Sequence, residues 1–294
     1  MRALSAREVY KFRKLQIQID NYLFAYQLQG NPHNPVILFL HGFMGDRYEF
    51  AEVIAVLSKH FYCVAIDLLG HGETRAIGAI APDSDYTMAS TANLVIKFLD
   101  ALHLKPCHLV AYSMGGRLAL YLAIFYKEYF HKVAIESASA GLATASARLS
   151  RQKQDHQLAT KLENSNLEQF LEDWYQQSIF GNLRSHPKFS QMLTQRLNNS
   201  PSELAKSLRN LGLGMQRSLW DKLGEVDISL LLLVGELDQK FIQINQLIAQ
   251  QARFSKLEII PDCGHNTHFE KPELFAQKIF DFLSKSHTSF LNRR

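Results

Sequence analysis

Residues 109–116 place a serine at the predicted boundary between a strand and a helix. The segment reads Leu-Val-Ala-Tyr-Ser-Met-Gly-Gly, so that Ser113 follows an apolar run and precedes a helix-like stretch over residues 117–126. A serine on such a sharp turn needs small residues two positions to either side, because the turn brings their backbones close together. Ala111 and Gly115 meet that need. The pattern predicts a reactive Ser113, although a short Ser-x-Gly motif is common and needs partners elsewhere.

Two later residues could complete a proton relay with Ser113. Asp238 follows the strand-like run 230–237, and His265 follows the run 257–264. Each lies just past the carboxyl end of a predicted parallel strand, the edge where active sites of open α/β sheets form. Taken alone, such an aspartate is usually a helix cap and such a histidine a loop residue. In the order serine, aspartate, histidine they predict a catalytic triad.

The loop after residues 36–40 predicts an oxyanion hole. It reads His-Gly-Phe-Met-Gly over residues 41–45, and the backbone N–H of Phe43 is expected to point at the space above Ser113. The N–H of Met114 would supply the second donor. Each such donor is worth roughly 3 kcal/mol in transition-state stabilisation. An ordinary glycine turn is the alternative. His71, in the next predicted loop, is interpreted as structural.

Strand-like and helix-like runs alternate on both sides of a single interruption. Continuous apolar strands separated by helices predict an α/β fold with a mostly parallel sheet covered by helices on both faces. The predicted strands are 15–20, 22–28, 36–41, 63–68, 108–112, 132–137, 228–234 and 256–260. The predicted helices are 49–61, 90–102, 117–126, 241–254 and 268–284.

The interruption predicts a helical cap. Between residues 141 and 223 the strands disappear, and amphipathic helical stretches are broken at Gly181, Pro187 and Pro201. We expect this cap to lie over the strand ends, inserted between core segments 1–140 and 224–294. Residues 142–222 carry eleven Lys and Arg against seven Asp and Glu, an excess equal to the net charge of +4 of the whole chain.

Length and composition limit the class of protein. The chain has 294 residues, of which 47% are hydrophobic and 20% charged, as in an ordinary globular protein. A net charge of +4 is too small to indicate a nucleic-acid partner. No apolar run is long enough to span a bilayer, and residues 1–14 lack the apolar core of a signal peptide. We therefore expect a cytoplasmic protein without a membrane partner.

The cysteines and histidines do not predict a metal site. Cys63, Cys107 and Cys263 are an odd number without metal-type spacing, and buried reduced thiols are the better interpretation. The twelve histidines form neither a His-x-x-x-His pair nor a cluster with cysteine. We therefore predict neither a metal nor another cofactor. The sequence does not predict an oligomeric state.

Four motifs together resemble the α/β-hydrolase superfamily. They begin at His41 (His-Gly-Phe-Met-Gly-Asp), at Asp67 (Asp-Leu-Leu-Gly-His-Gly), at Tyr112 (Tyr-Ser-Met-Gly-Gly-Arg) and at Cys263 (Cys-Gly-His-Asn-Thr-His-Phe-Glu). They span nearly the whole predicted core. The resemblance implies an α/β-hydrolase fold with Ser113 as its nucleophile position, but superfamily membership does not by itself define a reaction.

Further segments are similar to one family within this superfamily. Arg117 and the stretches 136–142, 148–155, 170–175, 214–220 and 235–241 resemble the 2-succinyl-6-hydroxy-2,4-cyclohexadiene-1-carboxylate (SHCHC) synthases of menaquinone and phylloquinone biosynthesis. The chain departs from that pattern at Ala111 and Ala140. The resemblance implies a lyase in which Ser113, deprotonated by His265, removes the proton next to a succinyl ketone, and pyruvate is eliminated. Asp238 would orient His265.

A substrate with several carboxylates explains the basic residues of this pattern. Planar guanidinium groups bind carboxylates in bidentate fashion, so Arg117 and Arg148 or Arg151 are the expected clamps. For any single cap arginine, a solvated surface position is the alternative. The predicted substrate-binding side chains are His41, Tyr112, Arg117, Arg148, Arg151, Trp174, Gln216 and Lys240.

Two other classes of function stay open. A cytosolic serine hydrolase, either a carboxylesterase or a carbon–carbon bond hydrolase, would use the same triad with water. Such an enzyme acting on a neutral ester would gain nothing from Arg117, so the arginines favour the lyase. A non-catalytic binding protein on this fold could lose a triad residue, whereas this chain keeps all three.

Overall fold

The computed structural model describes residues 15–78 and 81–285. The segment 1–14, in which the sequence predicts no signal peptide, lies outside these residues. None of the helices within the described ranges is both long and apolar enough to cross a bilayer. Cys63, Cys107 and Cys263 are buried and free of disulfide bonds, as the sequence predicts.

A single mixed sheet of nine strands forms the centre of the described structure. Its spatial order is β1-β2-β4-β3-β6-β7-β8-β9, with the short β5 beside β2. Strand β2 pairs antiparallel with its neighbours, and all pairings from β4 to β9 are parallel. The strands are β1 Leu15–Ile19, β2 Tyr22–Gln29, β3 Val36–Leu40, β4 Tyr62–Ile66, β5 Arg75–Ala76, β6 Cys107–Tyr112, β7 Phe130–Glu136, β8 Ser229–Gly235 and β9 Ser255–Ile260.

The order of the sheet reverses at β3. The chain moves from β3 to β4 on one side and later returns to β6 on the other. The connections that leave β3 and β6 therefore diverge, which opens a crevice at the carboxyl edge of the sheet. Phe43 and Ser113 follow these two strands, so the topology places both at the crevice.

Helices cover both faces of the sheet. Successive side chains of a strand point to opposite faces, and the two sets pack into two separate apolar cores. Leu38 and Leu40 of β3 pack on one face, and Ile37 and Phe39 on the other. Helices α2 (Met88–Ala101), α3 (Ser113–Phe125) and α8 (Gln239–Gln251) cover the first face. Helices α1 (Ala51–Leu57) and α10 (Pro272–Ser284) cover the second. The predicted fold class is confirmed.

Four α-helices lie between β7 and β8, in the cap predicted for residues 141–223. They are α4 (Ala145–Asn164), α5 (Leu167–Tyr175), α6 (Phe189–Arg196) and α7 (Pro201–Leu211). Ser200 caps α7 by accepting a hydrogen bond from the Glu203 N–H, and Pro201 occupies its first position, where the missing N–H costs nothing. The cap has its own apolar core, which also contains Met44 from the loop after β3. The exact domain boundaries stay a prediction.

Element ends differ from the predictions where a local break intervenes. The predicted closing helix 268–284 is two helices, α9 (Thr267–Glu270) and α10, because Pro272 has no N–H to continue the first one. The predicted helix 49–61 is only Ala51–Leu57, since the chain turns after Leu57 to enter β4. Strand β5 is too short to give a sequence signal.

The close approach of α3 to β3 gives a testable prediction. A Cβ on Gly115 would lie 2.5 Å from the carbonyl oxygens of both Leu40 and His41. We expect Gly115→Ala to lower the free energy of unfolding by about 1–3 kcal/mol, because backbone atoms cannot move aside easily. Urea denaturation measures this. Gly224→Ala is the control, since its added Cβ meets nothing within 4 Å; equal stability of the two variants would contradict the prediction.

Candidate active site

Ser113 begins α3 in a strained conformation. Its φ is +49°, in the left-handed region that non-glycine residues rarely adopt. Such strain persists only where the surroundings fix the backbone, and it is concentrated at functional sites. Here Gly115 packs on β3, and Gly116 packs on Ala138 and on Ile135 of β7. These contacts hold the turn that presents Ser113 at the crevice.

Ser113, His265 and Asp238 form a connected triad. The Nδ1 atom of His265 lies 2.6 Å from Oδ2 of Asp238, and its Nε2 lies 3.4 Å from Oγ of Ser113. The longer second contact is of the kind that tightens when substrate binds. Asp238 also caps α8 through a 3.3 Å hydrogen bond from the Phe241 N–H to its Oδ1. The aspartate is therefore both the helix cap and the orienting carboxylate.

Aromatic side chains surround the imidazole of His265. The ring centroids of Phe241 and Phe180 lie 4.6 and 5.8 Å from it, and Phe180 belongs to the cap. Both His265 and Asp238 are buried. Charge interactions are stronger in such a low-dielectric setting than in water, so the carboxylate can stabilise an imidazolium effectively.

A cavity of about 410 Å³ lies over Ser113, between the sheet edge and the cap. Phe43 and Met114, the predicted sources of the oxyanion-hole N–H groups, both line it beside Ser113 and His265. Aromatic and aliphatic side chains from the cap form one wall. Hydroxyl and cationic groups, among them Ser113, Arg117 and Lys240, also line the cavity. The cap residues on the apolar wall are Trp174, Ile179, Phe180, Leu208, Leu211 and Leu213.

Four of the predicted substrate-binding residues line this cavity: Arg117, Arg151, Trp174 and Lys240. The three cations among them differ in whether a carboxylate neutralises them. Arg151 pairs with Asp155 at 2.7 Å, which neutralises it. Within the described residues, neither Arg117 nor Lys240 has a carboxylate oxygen within 4.0 Å. The cavity therefore holds two cations that a bound anion could pair with.

Two hydrogen bonds to other parts of the protein hold the guanidinium group of Arg117. One guanidinium nitrogen donates to Oε1 of Gln216 at 2.8 Å and the other to the carbonyl oxygen of Leu211 at 3.0 Å. Burial, together with the positive charge of Arg151, lowers the pKa of Arg117 to about 10, although Asp155 partly compensates. An anionic ligand would relieve this cost, and the guanidinium has five N–H donors, more than these two contacts use.

The other four predicted residues do not line the cavity, and each has a polar atom that bonds to another part of the protein. The His41 ring contacts the Gly42 carbonyl oxygen at 2.7 Å through Nδ1 and accepts the Leu68 N–H at 2.9 Å through Nε2. Tyr112 donates its hydroxyl to Oδ1 of Asn266. Gln216 supports Arg117, as described above.

Arg148 is also turned away from the cavity. Its guanidinium donates to the carbonyl oxygens of Leu142 and Ala143 at 2.9 and 3.2 Å, at the start of α4. Arg151, rather than Arg148, is therefore the cap arginine that lines the cavity, and a substrate-binding role for either residue stays a prediction. His71 is buried against the rings of His41 and Phe43, outside the lining, which fits its structural interpretation.

The sequence analysis missed a buried network of charges beside the triad. Glu136, the last residue of β7, accepts from Nδ1 of His268 at 2.6 Å and from Oγ1 of Thr267 at 2.6 Å. On its other side His268 faces Glu49, with Nε2 and Oε1 3.7 Å apart. Glu49 also pairs with Arg196 at the end of α6. Two carboxylates and two cations thus join β7, the cap and the segment that follows His265.

The only sequence signal for this network is a charged residue at the end of an apolar strand. Burial disfavours charge on His268, but the carboxylates of Glu136 and Glu49 outweigh it and raise the pKa of His268 to about 9. The pKa of Glu49 is lowered: burial opposes its ionisation, and Arg196 and His268 more than compensate. His268 and Glu49 are therefore both charged at neutral pH.

This raised pKa predicts a pH dependence of stability. Protonated His268 stabilises the fold fully below its ordinary pKa of 6.5, and this stabilisation is lost as the pH rises through about 9. Between these values the free energy of unfolding should fall by at most about 1.4 kcal/mol per pH unit. Urea denaturation at several pH values measures the slope. His268→Gln should flatten it, whereas His156→Gln, an exposed site on α4, should not; identical slopes would contradict the account.

Comparison with known proteins places the chain in a family. The family model for the alpha/beta hydrolase fold matches residues 35–272. The chain belongs to this family, and the predicted superfamily resemblance is confirmed. It is an enzyme of this superfamily similar to SHCHC synthases, as the following relatives show. Among the described residues, no group of three metal-ligating side chains is positioned to hold a metal ion.

Relatives of two kinds support that similarity. The 2-succinyl-6-hydroxy-2,4-cyclohexadiene-1-carboxylate synthase of Yersinia pseudotuberculosis serotype O:1b is 31% identical over 86% of this chain and 88% of its own length. The chloroplastic protein PHYLLO of Arabidopsis thaliana is 29% identical over 94% of this chain, which matches 17% of that longer protein. The solved structure of MenH from S. aureus has a TM-score of 0.82 and 32% identity, and covers 93% of this chain and 100% of its own.

Proposed function

We propose that this enzyme is an SHCHC synthase that eliminates pyruvate from an enolpyruvyl succinyl-cyclohexene carboxylate in menaquinone or phylloquinone biosynthesis. The observation that carries the proposal is the pairing of a Ser-His-Asp triad with two unneutralised cations, Arg117 and Lys240, in one cavity. The named relatives support it. The proposal includes a cytoplasmic location, as the sequence predicts.

The triad would act as a base in this reaction. His265 takes the Ser113 proton, and Asp238 stabilises the imidazolium that forms. The Ser113 oxygen then removes the proton from the carbon next to the succinyl ketone, which gives an enolate. The N–H groups of Phe43 and Met114 hold the enolate oxygen. The electron pair then forms the ring double bond and breaks the carbon–oxygen bond, and the enolate of pyruvate leaves and takes up a proton.

The cations would orient the substrate. Arg117 lies one helical turn after Ser113 and lines the same cavity, so a carboxylate on its guanidinium would belong to a ligand in the cavity that holds Ser113. Lys240 follows Asp238 by two residues and brings a second positive charge from the first turn of α8. Two anchors on different helices, α3 and α8, would fix both the position and the rotation of a ligand with several carboxylates.

A serine hydrolase is the second candidate, favoured by the apolar cap wall around Trp174 and Phe180. The two functions separate in one experiment. Purified protein is mixed with the enolpyruvyl cyclohexene substrate and, separately, with a short-chain nitrophenyl ester. We expect stoichiometric pyruvate release that Ser113→Ala abolishes. Brisk ester hydrolysis without pyruvate release would contradict the lyase and establish the hydrolase.

Arg117 supplies a second test. We expect Arg117→Ala to reduce kcat/KM for pyruvate release about 10- to 100-fold, the value of a charge-assisted hydrogen bond, with little change toward the neutral ester. Lys153→Ala is the matched control, because it removes one charge from an exposed site on α4. Equal losses on both substrates would mean that Arg117 is structural, and a comparable loss in the control would assign the effect to the overall charge of the protein.

A further inference from the structure

The loop that carries Phe43 contains a strained residue held by the cap. Residues 42–45 form a turn closed by a 3.0 Å hydrogen bond from the Gly45 N–H to the Gly42 carbonyl oxygen. Met44, the third residue of this turn, has a φ of +64°, in a position that normally favours glycine. A methionine stays in that conformation only if its surroundings fix it.

Two cap side chains form hydrogen bonds with the backbone of Met44. Its carbonyl oxygen accepts a 3.0 Å hydrogen bond from Nη1 of Arg196 and a 2.9 Å hydrogen bond from Nδ2 of Asn199. Both donors are buried, at 5% and 7% exposure. The side chain of Met44 packs into the apolar core of the cap. The cap thus holds this residue through both its backbone and its side chain.

The two donors are themselves fixed by the core of the protein. Arg196 pairs with Glu49, and Nη1 lies 3.1 Å from its Oε2. Asn199 accepts the Gly72 N–H through Oδ1 at 2.9 Å, which ties the loop after β4 to the same point. Through Arg196 and Asn199, the Met44 carbonyl therefore connects the cap to the loop after β3, which contains Met44, and to the loop after β4, which contains Gly72.

We propose that Arg196 and Asn199 are positioning residues that set the oxyanion hole from the cap, by holding Met44 so that the Phe43 N–H faces Ser113. The Met44 carbonyl and the Gly45 N–H belong to one planar peptide, and this N–H donates to the Gly42 carbonyl. The Gly42 carbonyl shares its peptide plane with the Phe43 N–H, so a rotation of the Met44 carbonyl changes where that N–H points. The inference rests on the oxyanion hole of the proposed function. It does not depend on which substrate the cavity binds, because any reaction of Ser113 that builds negative charge on an oxygen uses the same donor.

The experiment measures how fast a small, neutral alkyl fluorophosphonate labels Ser113, by intact mass. The phosphoryl oxygen of this probe must occupy the oxyanion hole, whereas the probe has no carboxylate for Arg117 or Lys240. Asn199→Asp retains an acceptor for the Gly72 N–H and replaces the Nδ2 donor with a repelling oxygen. We expect it to slow labelling about 10- to 100-fold, a part of the loss seen when a donor is deleted outright.

Two further variants and two controls make the result specific. Asn199→Ala leaves Arg196 on the Met44 carbonyl and should slow labelling less than Asn199→Asp. Asn198→Asp changes the exposed neighbour, whose Nδ2 bonds only the Gln195 carbonyl, and should label like the unaltered protein. The melting temperature, measured by calorimetry, and the near-UV circular dichroism spectrum should change little in all three. Pyruvate release is not part of this test, so the proposal can fail without the proposed function failing, and the reverse.

Three outcomes would overturn the proposal. Labelling of Asn199→Asp at the rate of the unaltered protein would show that the hydrogen bonds to the Met44 carbonyl do not set the direction of the Phe43 N–H. A slower rate matched by a lower melting temperature would show a structural role only. An equal effect of Asn198→Asp would assign the change to added negative charge.

Discussion

The site depends on one steric constraint, the contact between the first turn of α3 and the end of β3. Gly115 brings the helix so close to the carbonyl oxygens of Leu40 and His41 that no side chain fits between them. This contact fixes Ser113 in a left-handed conformation directly beside the loop that carries Phe43. Because β3 and β6 are neighbours at the reversal of the sheet order, the serine and the oxyanion loop meet without further elements.

The sequence predicted the features that depend on local patterns. The apolar strands, the helical cap and the triad order follow from periodicity and from residues just past strand ends, and the structure brings Ser113, Asp238 and His265 within hydrogen-bonding distance. Asp238 fits both interpretations that the sequence allows, helix cap and partner of His265. Since the carboxylate that contacts His265 lies at a helix N-terminus, a single side chain both caps α8 and hydrogen-bonds to His265.

The features that the sequence did not predict depend on contacts between distant segments. Glu49 and Arg196 are 147 residues apart, and nothing in the spacing of either residue indicates the other. Arg148 and Arg151 lie on the same helix, yet only Arg151 lines the cavity, because Arg148 turns back to the carbonyl groups before α4. Which arginine faces a ligand is decided by packing, which local patterns do not record.

The proposed function requires that Ser113 removes a proton from the substrate rather than attacking a carbonyl carbon. The triad geometry serves either role, and under the proposed function the cations of the cavity would decide which ligand is presented to it. Single-turnover pyruvate release from substrate deuterated at the carbon next to the succinyl ketone tests the claim most directly. The account predicts a primary isotope effect on that step. The same rate for both isotopes, with an acyl group on Ser113 in the quenched protein, would contradict it.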